Sequence, residues 1–402
     1  MSPSWQNPGP ARRAVILTRV RTPAATIGVI GGGQLARMMH AASIGLGLRL
    51  RLLAEGPDVS AAQVVHDVAV GDYTDPATVA GFAAGCDVVT FDHEHVPTAI
   101  LHDLVDAGIA VRPGPEALVH AQDKAVMRAR LAALGVPCPR NRVVAGPDDL
   151  VAVAEELGWP VIAKTSRGGY DGKGVWKLDG PEQAGIPFEG LRADAVIIAE
   201  EFIDFTRELS VLVVRRAGGQ AVAYPVSETE QRDGICVATV TPAPGLRPDQ
   251  VRDLQAMGLR IAEELGVVGV LAVELMEAAD GTVVVNELAM RPHNTGHWSI
   301  DGAVTSQFEN HLRAVADLPL GSTAPLAPVT VMVNVLGGSR TDLLAGLSEV
   351  MAADPGLKVQ LYGKDVVPGR KVGHVTAVGD DLDATMGRAW RAARRLRGDT
   401  DE

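Results

Sequence analysis

The sequence predicts an α/β protein: an N-terminal domain on a parallel sheet, a larger central domain and a small β-rich C-terminal domain. Three observations carry this. Strand patterns at 26–30, 49–54 and 88–91 alternate with helical patterns, the sign of parallel strands joined by right-handed crossovers. A glycine-rich loop at 168–174 separates two further strand patterns and carries a lysine, with another lysine before it. Carboxylates sit in or close two strand patterns at 270–276 and 282–287.

The 402-residue chain has 47% apolar residues, enough for two or three domains with real cores. No apolar run reaches the ~18 residues that would span a bilayer. A formal net charge of -12 argues against affinity for nucleic acid or an anionic membrane. Any anionic substrate must therefore be held by local cations. Cys86, Cys138 and Cys236 are far apart and form no C-x-x-C pair, which favours a reducing cytoplasm and argues against a disulfide scaffold. Residues 1–25 hold arginines, prolines and a short apolar patch, and read as a disordered extension or an overlong assigned start.

The elements follow in order. The strand at 26–30 runs into the turn Gly31-Gly32-Gly33 and a helix from 34 to about 42. The strand at 49–54 ends near Glu55; another at 88–91 is followed by a helix from 98 and a short strand at 109–111. A helix covers 123–134, and Pro137 and Pro139 open a small unit of helix and strands reaching about 224. An αβ segment spans 248–319, and a Pro/Gly/Ala-rich stretch at 318–328 reads as a linker. Short strands at 329–335, 358–361 and 374–377 precede an amphipathic helix from 384.

The loop at 168–174 is the most telling motif. The strand before it delivers Lys164; Gly168, Gly169, Gly172 and Gly174 surround Lys173. Glycines let backbone N–H groups approach a phosphate, and lysines add full charges beside it. A plain hairpin turn needs fewer glycines. The pattern suggests a lid over a nucleoside triphosphate.

Other motifs are weaker singly. Gly31-x-Gly33-x-x-Ala36, with Glu55 ending the next strand, matches a dinucleotide fingerprint, a general phosphate loop or a tight turn. Gln34 beside it could contact a ligand or only begin the helix. Glu94, in Phe91-Asp92-His93-Glu94-His95 after a strand, could accept from a sugar or an amine, or lie in a solvated loop. Glu200, Glu201, Phe202 and Ile203, then Glu208, could read adenine and ribose or form a solvated edge. A symmetric turn near 279–281 would set Glu274 facing Val285, with Glu287 diagonal to it at roughly 7–8 Å. Two such carboxylates call for a cation, and magnesium held with nucleotide phosphates fits; strict alternation sends Asn286 to the other face unless the strand ends there. Arg291, His293, Asn294 and His297 form a donor-rich loop suited to phosphate or carboxylate. Lys364, Arg370 and Lys371 make a second basic cluster, an anion site or a solvated loop.

Together these residues resemble the ATP-grasp family, and within it the 5-(carboxyamino)imidazole ribonucleotide synthetases. The resemblance covers about 27–378. It rests on Gly31-Gly32-Gly33-Gln34-Leu35, Glu94-His95-Val96-Pro97, Gln122-Asp123-Lys124, the loop 168–174, Tyr224-Pro225-Val226, Arg232-Asp233-Gly234, Asn286-Glu287, Arg291-Pro292-His293-Asn294 and Pro368-Gly369-Arg370-Lys371. It implies a Rossmann-like domain at 26–120, an ATP-grasp domain at 121–318 with its lid subdomain at 137–225, and a C-terminal domain at 319–402.

The resemblance implies that Lys124, Lys164, Gly169, Tyr170, Asp171, Gly172, Lys173, Gly174 and Val175 hold ATP phosphates. Glu200, Glu201, Phe202, Ile203, Glu208 and Gln231 would surround the nucleoside. Glu274, Asn286 and Glu287 would bind magnesium, two ions in all, with Asn286 and Glu287 also next to ATP. Gln34, Leu35, Glu94, His293, Asn294, Lys364, Arg370 and Lys371 would hold aminoimidazole ribonucleotide, with Tyr170, Asp171, Lys173 and Arg291 at the reaction centre beside bicarbonate. A homodimer and a carboxyaminoimidazole ribonucleotide mutase as functional partner are further implications. Asp92, Ala36, Gln231 and Val367 depart from the family pattern, which more often has glutamate, glycine, histidine and arginine there. Three rival readings remain: another ATP-grasp ligase, a nicotinamide oxidoreductase built on the first glycine loop, and a non-catalytic nucleotide-binding scaffold.

Overall fold

The computed structural model describes residues 25–168, 174–192 and 194–399. Residues 1–24 of the expected extension lie outside the described residues, as do Gly169, Tyr170, Asp171, Gly172 and Lys173 of the expected lid.

The architecture is mixed α/β. Strands β1 (Thr26–Ile30), β2 (Arg49–Ala54), β3 (Asp67–Val70), β4 (Val88–Phe91) and β5 (Ala110–Val111) form a parallel sheet in the order β3-β2-β1-β4-β5. Ile27, Val29 and Ile30 are fully buried because helices cover both faces, so β1 reads as a continuous apolar run. The chain reverses its direction across the sheet between β1 and β4, and the carboxyl ends of these strands carry Gly31–Gly33 and Asp92–Glu94.

A second sheet contains β6 (Asn141–Val144), β7 (Val161–Thr165), β8 (Val175–Leu178) and β9 (Ile197–Glu201) in the order β6-β9-β7-β8. Val161, Ala163, Ile197 and Ala199 pack with Leu150, Val153 and Ala154 of the helix Pro147–Leu157. Alternation along β7 leaves Lys164 off that core, near the end of its strand.

The third sheet is the largest. It contains β10 (Phe205–Arg215), β11 (Ala221–Ala223), β12 (Ser227–Arg232), β13 (Ile235–Thr241), β14 (Gly269–Ala278), β15 (Val283–Ala289), β16 (Val329–Leu336), β17 (Lys358–Leu361) and β18 (Lys371–Gly379). Its order is β15-β14-β10-β12-β13-β16-β18-β17, with β11 beside β10. Strands on either side of residue 319 thus share one sheet, joined where β13 pairs with β16. Val331, Val333, Val335, Val375 and Ala377 pack under the helices Leu343–Ala353 and Leu382–Arg397.

The helix Gln307–Val315 joins the N-terminal and largest sheets. Its Phe308, Leu312 and Val315 enter the core formed by Ile27, Val29, Met39 and Leu50, while its other side meets β14. The cleft between these sheets collects Glu94, Glu274, Glu287 and the loop from Met290 to His297.

Candidate active site

The hairpin of β14 and β15 supplies the carboxylates, in a register that differs from the symmetric expectation. Leu275, not Glu274, faces Val285; a bulge then brings Glu274 directly opposite Glu287. Asn286 is the extra residue, so alternation does not dispose of it on the far face. Its side chain accepts from Lys164 Nζ at 3.2 Å. Glu274 lies 3.1 Å from His293 Nε2 and Glu287 lies 3.7 Å from Lys124 Nζ. Burial pushes the Glu274 carboxyl up, but the hydrogen bond and charge of His293, with help from Arg291 and Lys371, bring it below its ordinary value. Burial pushes Glu287 up as well; Lys124 opposes this, Glu274 reinforces it, and the carboxyl stays above its ordinary value. Two carboxylates and an amide oxygen form a hard, oxygen-only donor set with excess negative charge, which fits magnesium.

The cations come from two neighbouring elements. Asp123 caps the helix Lys124–Ala133, accepting from Ala125 N and Val126 N, and also bonds Ser166 Oγ and Arg167 Nε. This ties Lys124 to the strand end after Lys164. Lys164 Nζ sits 2.8 Å from Glu200 Oε2. The same carboxylate takes Arg128 Nε at 2.6 Å and Nη2 at 3.2 Å. Burial would raise the Glu200 pKa, yet Lys164 and Arg128 hold it down at about 2.

Arg128 escaped the sequence reading. Its signal was a charge on the buried stripe Met127, Arg128, Leu131 of one helix. Its Nη1 donates to Val285 O at 2.9 Å and its Nη2 to Asn286 O at 2.8 Å, carbonyls at the bulge. One guanidinium therefore holds both Glu200 and the bulge beside the carboxylate pair.

The nucleoside candidates lie where β9 passes to β10. Glu201 is bonded to Arg140 through the backbone N at 2.7 Å and Nε at 2.6 Å. The Lys177 ammonium stands 4.6 Å over the Phe202 ring. Phe205 N donates to Ile203 O. Glu208 accepts from Gln231 Nε2 at 3.1 Å; burial, then the charge of Glu274, raises its pKa to about 7. Gly174 and Val175 lead into β8 opposite Lys164.

Glu94 closes the other side. It takes Arg291 Nε at 2.6 Å and Met290 N at 3.2 Å. His293 Nδ1 contacts Thr295 Oγ1 at 2.9 Å, and Thr295 Oγ1 contacts Ser210 Oγ at 2.7 Å; neither hydroxyl stood out in the sequence. The Asn294 side chain is buried beside the Cys236 thiol. Lys364 Nζ donates to Gln34 Oε1, bridging the C-terminal segment to the first helix. The Leu35 side chain belongs to the N-terminal core. Arg370 O accepts from Gly337 N at 2.8 Å.

The first glycine loop does not present a dinucleotide site. Gly32 N donates to Glu55 at 3.0 Å, and Gly33 N and Ala36 N donate to Asp92 at 2.9 and 2.7 Å. The protein's own carboxylates fill the place a pyrophosphate would take, and a Cβ on Gly33 would fall 2.1 Å from Asp92 Oδ2. Burial would raise Glu55, but the bond from His93 and backbone donors hold it at about 2. His93 and His95 stack with centroids 5.1 Å apart. Among the described residues no group of three or more His, Cys, Asp or Glu is placed to hold a metal.

A parallel-sheet domain, a four-stranded sheet carrying Lys164 and a third sheet presenting paired carboxylates fit the ATP-grasp class. The family model for the ATP-grasp domain matches residues 129–308, and that for the ribonucleotide synthetase preATP-grasp domain matches 24–122. A third, the phosphoribosylaminoimidazole carboxylase C-terminal domain, matches 330–388. The N5-carboxyaminoimidazole ribonucleotide synthase of Mycobacterium tuberculosis is 50% identical over 386 residues, covering 94% of this chain and 90% of its own. That of Corynebacterium ammoniagenes is 49% identical, covering 91% of each chain. The solved synthetase of Thermus thermophilus superposes with a TM-score of 0.83 at 38% identity, over 94% of this chain and 99% of its own. The Aspergillus clavatus enzyme in complex with ADP and 5-aminoimidazole ribonucleotide gives 0.85 at 29% identity, over 93% and 98%. The chain belongs to the N5-carboxyaminoimidazole ribonucleotide synthase family.

Proposed function

We propose that this chain carboxylates the exocyclic amine of 5-aminoimidazole ribonucleotide, using ATP and bicarbonate and releasing ADP and phosphate, as a step of purine biosynthesis. The observation that carries the reading is the juxtaposition of Glu274 and Glu287 with Lys124 and Lys164 on one side and the Glu94–Arg291 and Glu274–His293 pairs on the other. Lys124, Lys164 and the lid 169–175 position the triphosphate; Glu200, Glu201, Phe202, Ile203, Glu208 and Gln231 surround the nucleoside. Glu274, Glu287 and Asn286 hold magnesium, which when bound supplies charge neutralisation at the phosphates.

Bicarbonate attacks the γ-phosphorus and ADP leaves; the carboxyphosphate formed, or the carbon dioxide it releases, is captured by the ribonucleotide amine, with phosphate departing and the amine giving up a proton. Arg291, His293, Asn294, Lys364, Arg370 and Lys371, with Gln34, Leu35 and Glu94, hold the ribonucleotide. Tyr170, Asp171, Lys173 and Arg291 serve the reaction centre beside bicarbonate, from which water must be excluded. The working division of the chain is 26–120, 121–318 with a lid subdomain at 137–225, and 319–402. A homodimer in the cytoplasm, serving a carboxyaminoimidazole ribonucleotide mutase, completes the reading.

The test is ADP release with magnesium ATP, adding bicarbonate and the ribonucleotide singly and together. Strong stimulation that requires both, with bicarbonate carbon in the product, is expected. Turnover indifferent to the ribonucleotide would move the assignment to another amine or acid.

A further inference from the structure

His311 sits on the helix Gln307–Val315, fully buried between the two sheets that form the cleft. Its ring nitrogens reach different domains. Nδ1 accepts from Val270 N, on β14, at 3.1 Å. Nε2 lies 2.9 Å from Thr90 Oγ1, on β4. A neutral imidazole that accepts at Nδ1 carries its proton on Nε2, so the ring donates to Thr90. Burial keeps the ring neutral, with its pKa lowered to about 3. Gly269 closes the space: at φ +117 its missing side chain leaves room for the ring, and a Cβ there would lie 2.9 Å from His311 Cε1.

Thr90 precedes Glu94 by four residues, and Val270 precedes Glu274 by four. Each strand that His311 holds thus delivers one carboxylate to the loop at 291–293: Glu94 to Arg291 and Glu274 to His293. We propose that His311 is a positioning residue that fixes the spacing between Glu94 and Glu274, and through them the placement of Arg291 and His293. This rests on the function proposed above, in which the ribonucleotide is held from the N-terminal and central domains and the C-terminal segment, while ATP contacts only the central one. The sequence gives no hint of it, because the Thr90 bond spans 221 residues.

Thr90→Val removes the hydroxyl at nearly constant volume and leaves the Val270 bond in place. Its kcat/KM for the ribonucleotide should fall on the order of tenfold while the KM for ATP stays within about twofold. Thr90→Ser should restore the wild-type values. His311→Gln, whose amide nitrogen can reach the place of Nε2, should retain more ribonucleotide turnover than His311→Asn, whose amide reaches only the place of Nδ1. A Thr90→Val protein that melts lower with unchanged ribonucleotide kinetics, or that loses affinity for both substrates alike, would overturn the assignment. The crystal structure of Thr90→Val reads the same point without turnover. A changed separation of Glu94 and Glu274 supports positioning, and a separation identical to wild type refutes it, whatever substrate the wild type turns over.

Discussion

Glu274 and Glu287 face each other across the β14–β15 ladder, one balanced by His293 at 3.1 Å and the other only partly by Lys124 at 3.7 Å. The imbalance shows in their titration: Glu274 ionises more readily than an ordinary glutamate and Glu287 less. A fold that keeps this repulsion gives up stability at its site. Replacing Glu287 with glutamine removes both the repulsion and a metal ligand. Ribonucleotide-dependent ADP release at saturating magnesium should drop on the order of 10²-fold or more. The metal-free protein should melt at the same temperature or higher. Full turnover by Glu287→Gln would eliminate the metal site argued here.

Arg128 is buried against four acceptors: both Glu200 oxygens and the carbonyls of Val285 and Asn286. Arg128→Met leaves Glu200 with Lys164 alone and opens the bulge. Breaking a buried pair in this way costs about 3–5 kcal/mol. The pH dependence has a definite sign. Glu200 titrates at about 2 in the fold against an ordinary 4.5, so its contribution is present above that ordinary value and is lost as pH falls toward 2. The gap between wild type and variant should be widest near neutral pH and narrow below about pH 4.5. Denaturant unfolding at several pH values measures it, and a constant gap would mean that Glu200 is not the partner that matters.

The strands at 26–30 and 88–91 were legible because each is an almost wholly buried, mainly apolar run, and that at 49–54 because Leu50 and Leu52 alternate with Arg49 and Arg51 before Leu53 and Ala54. Asp67–Val70 was not, since it is a half-exposed edge strand with no alternation. The helices Pro76–Ala83, Pro115–Gln122 and Leu343–Ala353 also went unread; the first and last are so rich in alanine, glycine or valine that no clear polar face marks them. Within the site, Glu274 and Glu287 could be named but not aligned. Their register turns on a bulge whose carbonyls are held by Arg128, 157 and 158 residues away. Glu94 and Arg291 likewise meet across 197 residues. Residue types travel in the sequence; such pairings exist only once the sheets have packed.

Gly33 and Asp92 should be energetically coupled. Asp92 takes Gly33 N on one oxygen and Ala36 N on the other, capping the helix Gln34–Leu46. Gly33→Ala puts a Cβ 2.1 Å from Asp92 Oδ2, so the carboxylate must move and both bonds weaken. Asp92→Ala alone removes the cap, at about 1–2 kcal/mol. In the double variant the clash is gone, so its cost should fall short of the sum of the singles by about 1 kcal/mol. Unfolding free energies of the four proteins close the cycle. Additivity would mean that Asp92 already has room to withdraw.

Glu208 offers a pH test of the nucleoside site. Its pKa of about 7 comes from burial and then from the charge of Glu274. Folding therefore holds an extra proton on Glu208 between its ordinary 4.5 and about 7, and its contribution to stability declines as pH rises through that window. Glu208→Gln cannot titrate, so it should gain on wild type in unfolding experiments as pH rises through that interval. Substrate binding should run the opposite way. A protonated Glu208 has one oxygen committed to its hydrogen, whereas the carboxylate can accept from ribose hydroxyls with both. The KM for ATP should fall as pH rises through about 7 in wild type and lose this component in Glu208→Gln. The nucleotide's own titration is common to both proteins and cancels in the ratio of their KM values. A ratio that does not change with pH would place Glu208 away from the bound nucleoside.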